Sequence, residues 1–98
     1  MRILLSVFIC IMFIAPAYCK LAIQEPRVII SERLSVESSA IRSIGFKNGV
    51  LEIEFNSGSI YQYFDIPDAI YSDFMSAESK GRFFHKYIRG RYEVIRIK

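Results

Sequence analysis

Apolar and polar residues alternate most regularly in residues 51–63, LEIEFNSGSIYQY. Leu51, Ile53 and Phe55 take turns with Glu52, Glu54 and Asn56, the period-two signature of a strand buried on one face. Ile60, Tyr61 and Tyr63 follow, all residues that favour strands, so the stretch predicts a β-hairpin. Gly58 stands third in Asn56-Ser57-Gly58, where a three-residue loop needs a left-handed residue. That loop pairs Phe55 with Ser59, Ile53 with Tyr61 and Leu51 with Tyr63, and sets both tyrosines on the face of the Leu-Ile-Phe stripe. A two-residue Ser57-Gly58 loop would pair Phe55 with Ile60 and place the tyrosines beside Glu52 and Glu54, because a one-residue slip exchanges the faces. The position of Gly58 favours the first register, which makes Tyr61 and Tyr63 core-edge aromatics with wet hydroxyls.

Ahead of the hairpin, residues 41–46 predict another strand, in which Ile41 and Ile44 break strict alternation. Lys47-Asn48-Gly49 links the two, and Asn-Gly is a strong hairpin signal. Strands near residues 41–46, 50–56 and 59–65 then form a three-stranded antiparallel meander. Asp65-Ile66-Pro67-Asp68 opens a helix, since proline is tolerated in a first turn and acids suit its positive end. Ile66, Ile70, Phe74 and Ala77 recur at helical spacing. Ser79 caps a second helix over residues 80–89, which Gly90 ends. Phe83, Phe84, Tyr87 and Ile88 fall on one side of it; Arg82, Lys86 and Arg89, with His85, fall on the other. The expected class is α+β: a three-stranded antiparallel meander followed by two helices packed on one face. Its core is expected to include Ile44, Leu51, Ile53, Phe55, Ile70, Phe74, Phe83 and Ile88. Residues 92–97 have the make-up of a short returning strand. Residues 20–37, with Pro26 and Val28-Ile29-Ile30, are an extension that periodicity leaves open as an edge strand or an extended arm.

The first residues have a different character. Met1-Arg2 precede a run, residues 3–14, that is apolar except for Ser6, and Ala15-Pro16-Ala17-Tyr18-Cys19 follow. A positive start, a short apolar run and small residues at a cut site make a secretory signal peptide over residues 1–19. The run is shorter than the roughly 20 residues that cross a bilayer. Ala15-x-Ala17 fits a cut before Tyr18, and Ala17-x-Cys19 fits one before Lys20. Export, periplasmic or extracellular, is therefore expected, and membrane attachment only through an uncleaved leader. Cys10 leaves with the leader and Cys19 leaves or stays alone, so no internal disulfide is expected in the domain at residues 38–98. A domain of this size without such staples is marginally stable; the eight Phe and six Tyr of the chain offset this by the area they bury.

Charge is unevenly spread. Residues 20–79 carry five bases and nine acids, whereas residues 80–98 carry seven bases and one acid, Glu93. A basic carboxyl end on a mildly acidic body suggests an anionic partner or an internal acid–base match. Exposed cations on one helix face can follow phosphates; Lys80, Arg82, Lys86 and Arg89 are the candidates, with Tyr61 and Tyr63 as a stacking rim. The opposing expectation is a solvated helix whose long side chains cover apolar neighbours. Catalytic chemistry finds little support. There is a single histidine, His85, and the only cysteines lie in the leader, so neither a nucleophilic triad nor a metal site is expected. Glu52 and Glu54 share a strand face and are expected to be solvated. No cofactor is implied.

Several of these pieces in order carry a resemblance: Ser38-Ser39-x-Ile41, Ser43-Ile44-Gly45-Phe46, Leu51-x-Ile53-x-Phe55 before Gly58, Tyr61-x-Tyr63, Ile66-Pro67, Ala77-x-Ser79-x-Gly81, Phe83-Phe84, and Ile88-Arg89 before Tyr92. Over this span the chain resembles the KTSC domain family, known from the carboxyl end of some lysyl-tRNA synthetases and from small stand-alone bacterial proteins. The resemblance implies a compact α+β domain, with RNA binding suggested by the synthetase setting. His85 departs from the Asn that the family often shows there. Two functions follow as expectations: an exported, non-enzymatic binding module for an anionic or protein partner, or an RNA-binding module acting inside the cell. Oligomeric state is not legible in the chain.

Overall fold

The computed structural model describes residues 22–98, and the leader expected at residues 1–19 lies outside the described residues. Five strands form one antiparallel sheet in chain order: β1 Leu34–Ser35, β2 Ile41–Lys47, β3 Val50–Phe55, β4 Ile60–Tyr63 and β5 Val94–Arg96. Between β4 and β5 come two helices. The first, α1, is Asp68–Ser76; the second, α2, starts as a normal helix at Lys80–Phe83 and continues as a π turn, Phe84–Ile88. The three-strand expectation is thus corrected to five. β5, three residues long, falls within residues 92–97, whose make-up suggested a short returning strand; β1, two residues long, lies in the extension left open as an edge strand or an arm, and pairing with β2 and β4 holds the two in place.

Local chemistry explains the two hairpins. Asn48 and Gly49 both have positive φ, 51° and 77°, as a tight two-residue turn requires, and Lys47 pairs with Val50 across it. Gly58 has φ of 95°, and the Phe55 N–H donates to the Ser59 carbonyl at 2.9 Å. Ile53 therefore faces Tyr61 and Leu51 faces Tyr63, the register favoured by the position of Gly58. The broken alternation of β2 has a cause as well. A bulge between Ile41 and Ser43 inserts an extra residue, so Ile41 and Ile44 both reach the core.

One face of the sheet packs on the helices. Ile41, Ile44, Leu51, Ile53, Tyr63, Ile66, Phe74, Phe84 and Ile88 are its buried residues, and Phe55, Ile70 and Phe83 pack half-buried around them. Phe84 takes the central place expected for Phe83. In the π turn the Arg89 N–H donates to the Phe84 carbonyl, five residues back, at 2.8 Å. The wider turn shifts the phase of the helix: Phe84 and Ile88 point inward, while Tyr87, expected on the apolar side, is left exposed over Phe83.

The opposite face is covered by residues 22–36, which cross the sheet as an extended strap. At one edge the Gln24 N–H donates to the Arg96 carbonyl at 2.6 Å, and at the other Leu34–Ser35 pair with β2. One segment therefore meets the sheet at both ends, as the short edge strand β1 and through a single bridge to Arg96 of β5; very short edge strands are a common guard against aggregation. Midway, Val28 and Ile30 pack on Val50, Phe64 and Ile95. Arg27 stacks on the Phe64 ring at 4.3 Å and pairs with Glu93 at 2.8 Å. That hydrogen bond and charge hold the Glu93 carboxyl below its ordinary range. The pair is therefore intact above that range and is lost as acid protonates Glu93; both partners are solvated, so its weight is small.

This covered face overturns the expectation that Glu52 and Glu54 are solvated. Glu52 is only 3% exposed and Gln62 fully buried, with Glu54 half-buried. Strap residue Arg33 pairs with Glu52 and lies 3.7 Å from Glu54. The Gln62 amide donates to Glu52 at 2.9 Å and to the Val28 carbonyl at 2.7 Å, and accepts from the Arg27 N–H at 3.1 Å. Ser43 donates to Glu54 at 2.8 Å and accepts from Arg33 at 3.0 Å. The network is complete: among the described residues no buried side-chain nitrogen or oxygen lacks a partner.

Candidate functional site: an aromatic cleft with a cationic mouth

A cleft of about 450 Å³ opens on the helical face, between the β3–β4 hairpin and α2. Phe55, Tyr61, Tyr63 and Phe84 form its aromatic interior, Ala40 and Gly81 a small-residue wall, and His85, Arg89 and Gly90 its mouth. Each part has a local origin. The Gly58 register places Phe55, Tyr61 and Tyr63 on one face of the hairpin. The π turn brings Phe84 inward and leaves Arg89 one residue beyond its end. Ser79 starts that helix by accepting the Arg82 N–H at 3.3 Å. Gly81 faces the Ala40 methyl, where even an added Cβ would lie 3.9 Å away, so the space beside it stays open.

The aromatic interior is closely packed. Phe84 meets Phe55 and Tyr63 edge to face, with centroids 5.3 and 5.5 Å apart, and Phe55 meets Tyr61 at 5.7 Å. These are favoured aromatic geometries. Burial pushes the Tyr63 phenol well above its ordinary value, the neighbouring Tyr61 adds to this, and Arg89 partly opposes it. Tyr63 therefore stays a neutral hydroxyl at physiological pH. At the mouth, Arg89 Nη1 lies 3.3 Å from His85 Nδ1.

The residues expected to form a basic binding face are only partly gathered here. Tyr61, Tyr63 and Arg89 line the cleft. Lys80 instead donates to the Ala77 carbonyl at 3.3 Å, and Lys86 sits over the Tyr87 ring at 5.2 Å. Arg82 is exposed and does not line the cleft. The expected tyrosine rim is the interior wall instead, since Tyr63 is only 6% exposed. Helical spacing set Phe84 on the apolar side and His85 beside Arg89, but periodicity along one helix does not show the hairpin that faces them, so neither was expected in a cleft. Among the described residues no group of three His, Cys, Asp or Glu side chains could hold a metal ion.

Comparison with known proteins places this geometry in context. Residues 37–92 match the KTSC domain. A lysine–tRNA ligase of Nostoc punctiforme is 40% identical over 68 residues, covering 67% of this chain and 12% of the ligase. A second, from Nostoc sp., is 38% identical over the same length and is again covered for 12%. The chain thus spans about an eighth of the curated ligases it matches. A KTSC domain protein of Yersinia pestis, known from its crystal structure, is 43% identical with a TM-score of 0.66, over 68% of this chain and 97% of that one.

Proposed function

The chain belongs to the KTSC domain family, and from that premise we propose that it is a small, exported, non-enzymatic binding module whose cleft holds an anionic partner by an apolar group. One observation carries this proposal: four aromatic rings and the Arg89 guanidinium converge on one open cleft. Apolar walls with a single placed charge are the make-up of a binding site, and the cleft offers no nucleophile with a base beside it. An apolar or flat group of the partner enters between Tyr61, Tyr63 and Phe84, and its anion meets Arg89. An anilinonaphthalene sulfonate, an aromatic anion, is a suitable probe. It should bind saturably, one per chain, and Arg89→Glu should weaken it about tenfold or more, since hydrogen bonds to charged groups contribute about 1.5–3 kcal/mol. Binding that is equal in a folded Arg89→Glu protein defeats the proposal.

RNA is a second reading, favoured by the lysine–tRNA ligases among the relatives and by the ability of tyrosine faces to stack on bases. Single-stranded oligouridylate would then compete with the probe, and its affinity would fall steeply with salt.

Export rests on the pattern of residues 1–19. Among the described residues no helix is long and apolar enough to cross a membrane. Fractionated native protein should begin at Tyr18 or Lys20 by amino-terminal mass. A chain beginning at Met1 in the cytoplasmic fraction would refute export and favour RNA.

A further inference from the structure

We propose that the back of the sheet, opposite the cleft, is a second binding site: a groove for an extended peptide carrying an arginine, filled in this protein by its own strap. The recognition chemistry is that of a bound peptide. Gln62 reads backbone alone, accepting from the Arg27 N–H and donating to the Val28 carbonyl, so that contact is independent of side-chain identity. Specificity comes from two places. Glu52, 3% exposed, is a buried carboxylate whose counter-charge is supplied by strap residue Arg33. Gly45 provides the close approach: a Cβ there would lie 2.7 Å from the Ile30 side chain, 2.9 Å from the Glu32 carbonyl and 3.0 Å from the Arg33 side chain. The groove thus selects a β-branched residue followed, three positions later, by an arginine. At its two ends it offers strand edges, where Gln24 bonds to Arg96 and Leu34–Ser35 to β2, the way extended peptides add to a sheet.

The family match begins at residue 37, after the strap; the Yersinia pestis relative covers 68% of the chain, which takes in the last strap residues as well. The strap forms no helix; its outer side bears the exposed Ile23, Ile29 and Leu34, Val28 and Ile30 face the groove, and Val36 reaches the helical-side core. The occupant is the chain's own residues 22–36, bound in cis.

The test cuts this connection in the intact, folded protein. A specific protease site is inserted between Glu37 and Ser38, the purified chain is cleaved, and a fluorescent peptide of residues 22–36 is added. The peptide should exchange into the groove saturably, and its Arg33→Glu form should bind about tenfold or more weakly. Gly45→Ala in the domain should weaken capture of the normal peptide and leave cleft binding of the sulfonate probe unchanged. Equal binding of the normal and Arg33→Glu peptides overturns the proposal. So does unfolding of the domain when the strap departs, which would make residues 22–36 part of the core. In the uncut protein, the Gln24 and Arg27 amides should exchange hydrogen through a local opening, well before those of β3; exchange only with global unfolding also overturns it. A strap-swapped dimer would support the groove with a second copy as donor.

Discussion

Phe84→Ala should be the most damaging single change on the helical side of the sheet. Phe84 is 5% exposed and makes edge-to-face contacts with both Phe55 and Tyr63. Truncating a buried phenylalanine costs about 3–5 kcal/mol, from lost transfer energy and the cavity left behind. In a domain of this size each kcal/mol lowers the melting temperature by about 4–8 °C, so a fall of more than about 10 °C is expected in a calorimetric or far-UV melt. Phe83→Ala tests the phase of the helix. Phe83 is only half-buried, packed beside Phe74 and Tyr87, and its loss should cost less than half as much. Equal losses at the two positions would contradict the π turn.

Arg33→Met should have the next largest effect, and it acts on the opposite face. The substitution keeps most of the apolar stem and removes the charge that compensates Glu52. Removing one partner of a buried ion pair costs about 3–5 kcal/mol. Arg33 keeps 27% of its side-chain exposure, so water screens part of the effect and about 2–3 kcal/mol is expected. Urea unfolding measures it. Adding Glu52→Gln to Arg33→Met should restore part of the loss, because the second change removes the stranded carboxylate, and the two should couple by about 1 kcal/mol or more. Strict additivity of the two changes would mean that the ion pair contributes nothing beyond packing.

These two sites differ in how far the chain alone revealed them. The cleft's hairpin side follows from residues near in sequence. Gly58 in third place in its loop chooses the register, the register chooses the face, and Tyr61 and Tyr63 arrive beside Phe55 as expected. Ser79, Gly90 and Asn48-Gly49 likewise act within a few residues of themselves, and each has the role its chemistry suggested. Ile41 and Ile44 carried a visible irregularity, and the bulge explains it. The other wall of the cleft was hidden. A π turn has no hydrophobic period of its own, so residues 83–88 read as ordinary helix, whose spacing sets Phe83, Phe84 and Tyr87 together on the apolar side and does not tell which points inward.

The buried acid was less legible still. The favoured register already pairs Glu52 with Gln62 across the hairpin, yet alternation says only that the two lie opposite the Leu-Ile-Phe stripe. It is silent on what covers that side. A strand glutamate facing water and one facing an arginine under a strap have the same sequence neighbours. The decision lies with Arg33, 19 residues away from Glu52, and with the missing side chain of Gly45 that lets the strap descend.

The sequence by itself determined the strands β2 to β4, their turns and register, the start of α2 and the apolar face of the hairpin, because each rests on local backbone preference and short-range periodicity; α1 begins at Asp68, with Pro67 as its extended cap rather than in its first turn. Only the tertiary structure decided the edge strand β1, the partner of β5, the strap, the burial of Glu52 and Gln62, and the meeting of Arg89 with the tyrosines. Those depend on contacts between residues distant in the chain, whose free energy exists only once the sheet has formed and given them a surface to share.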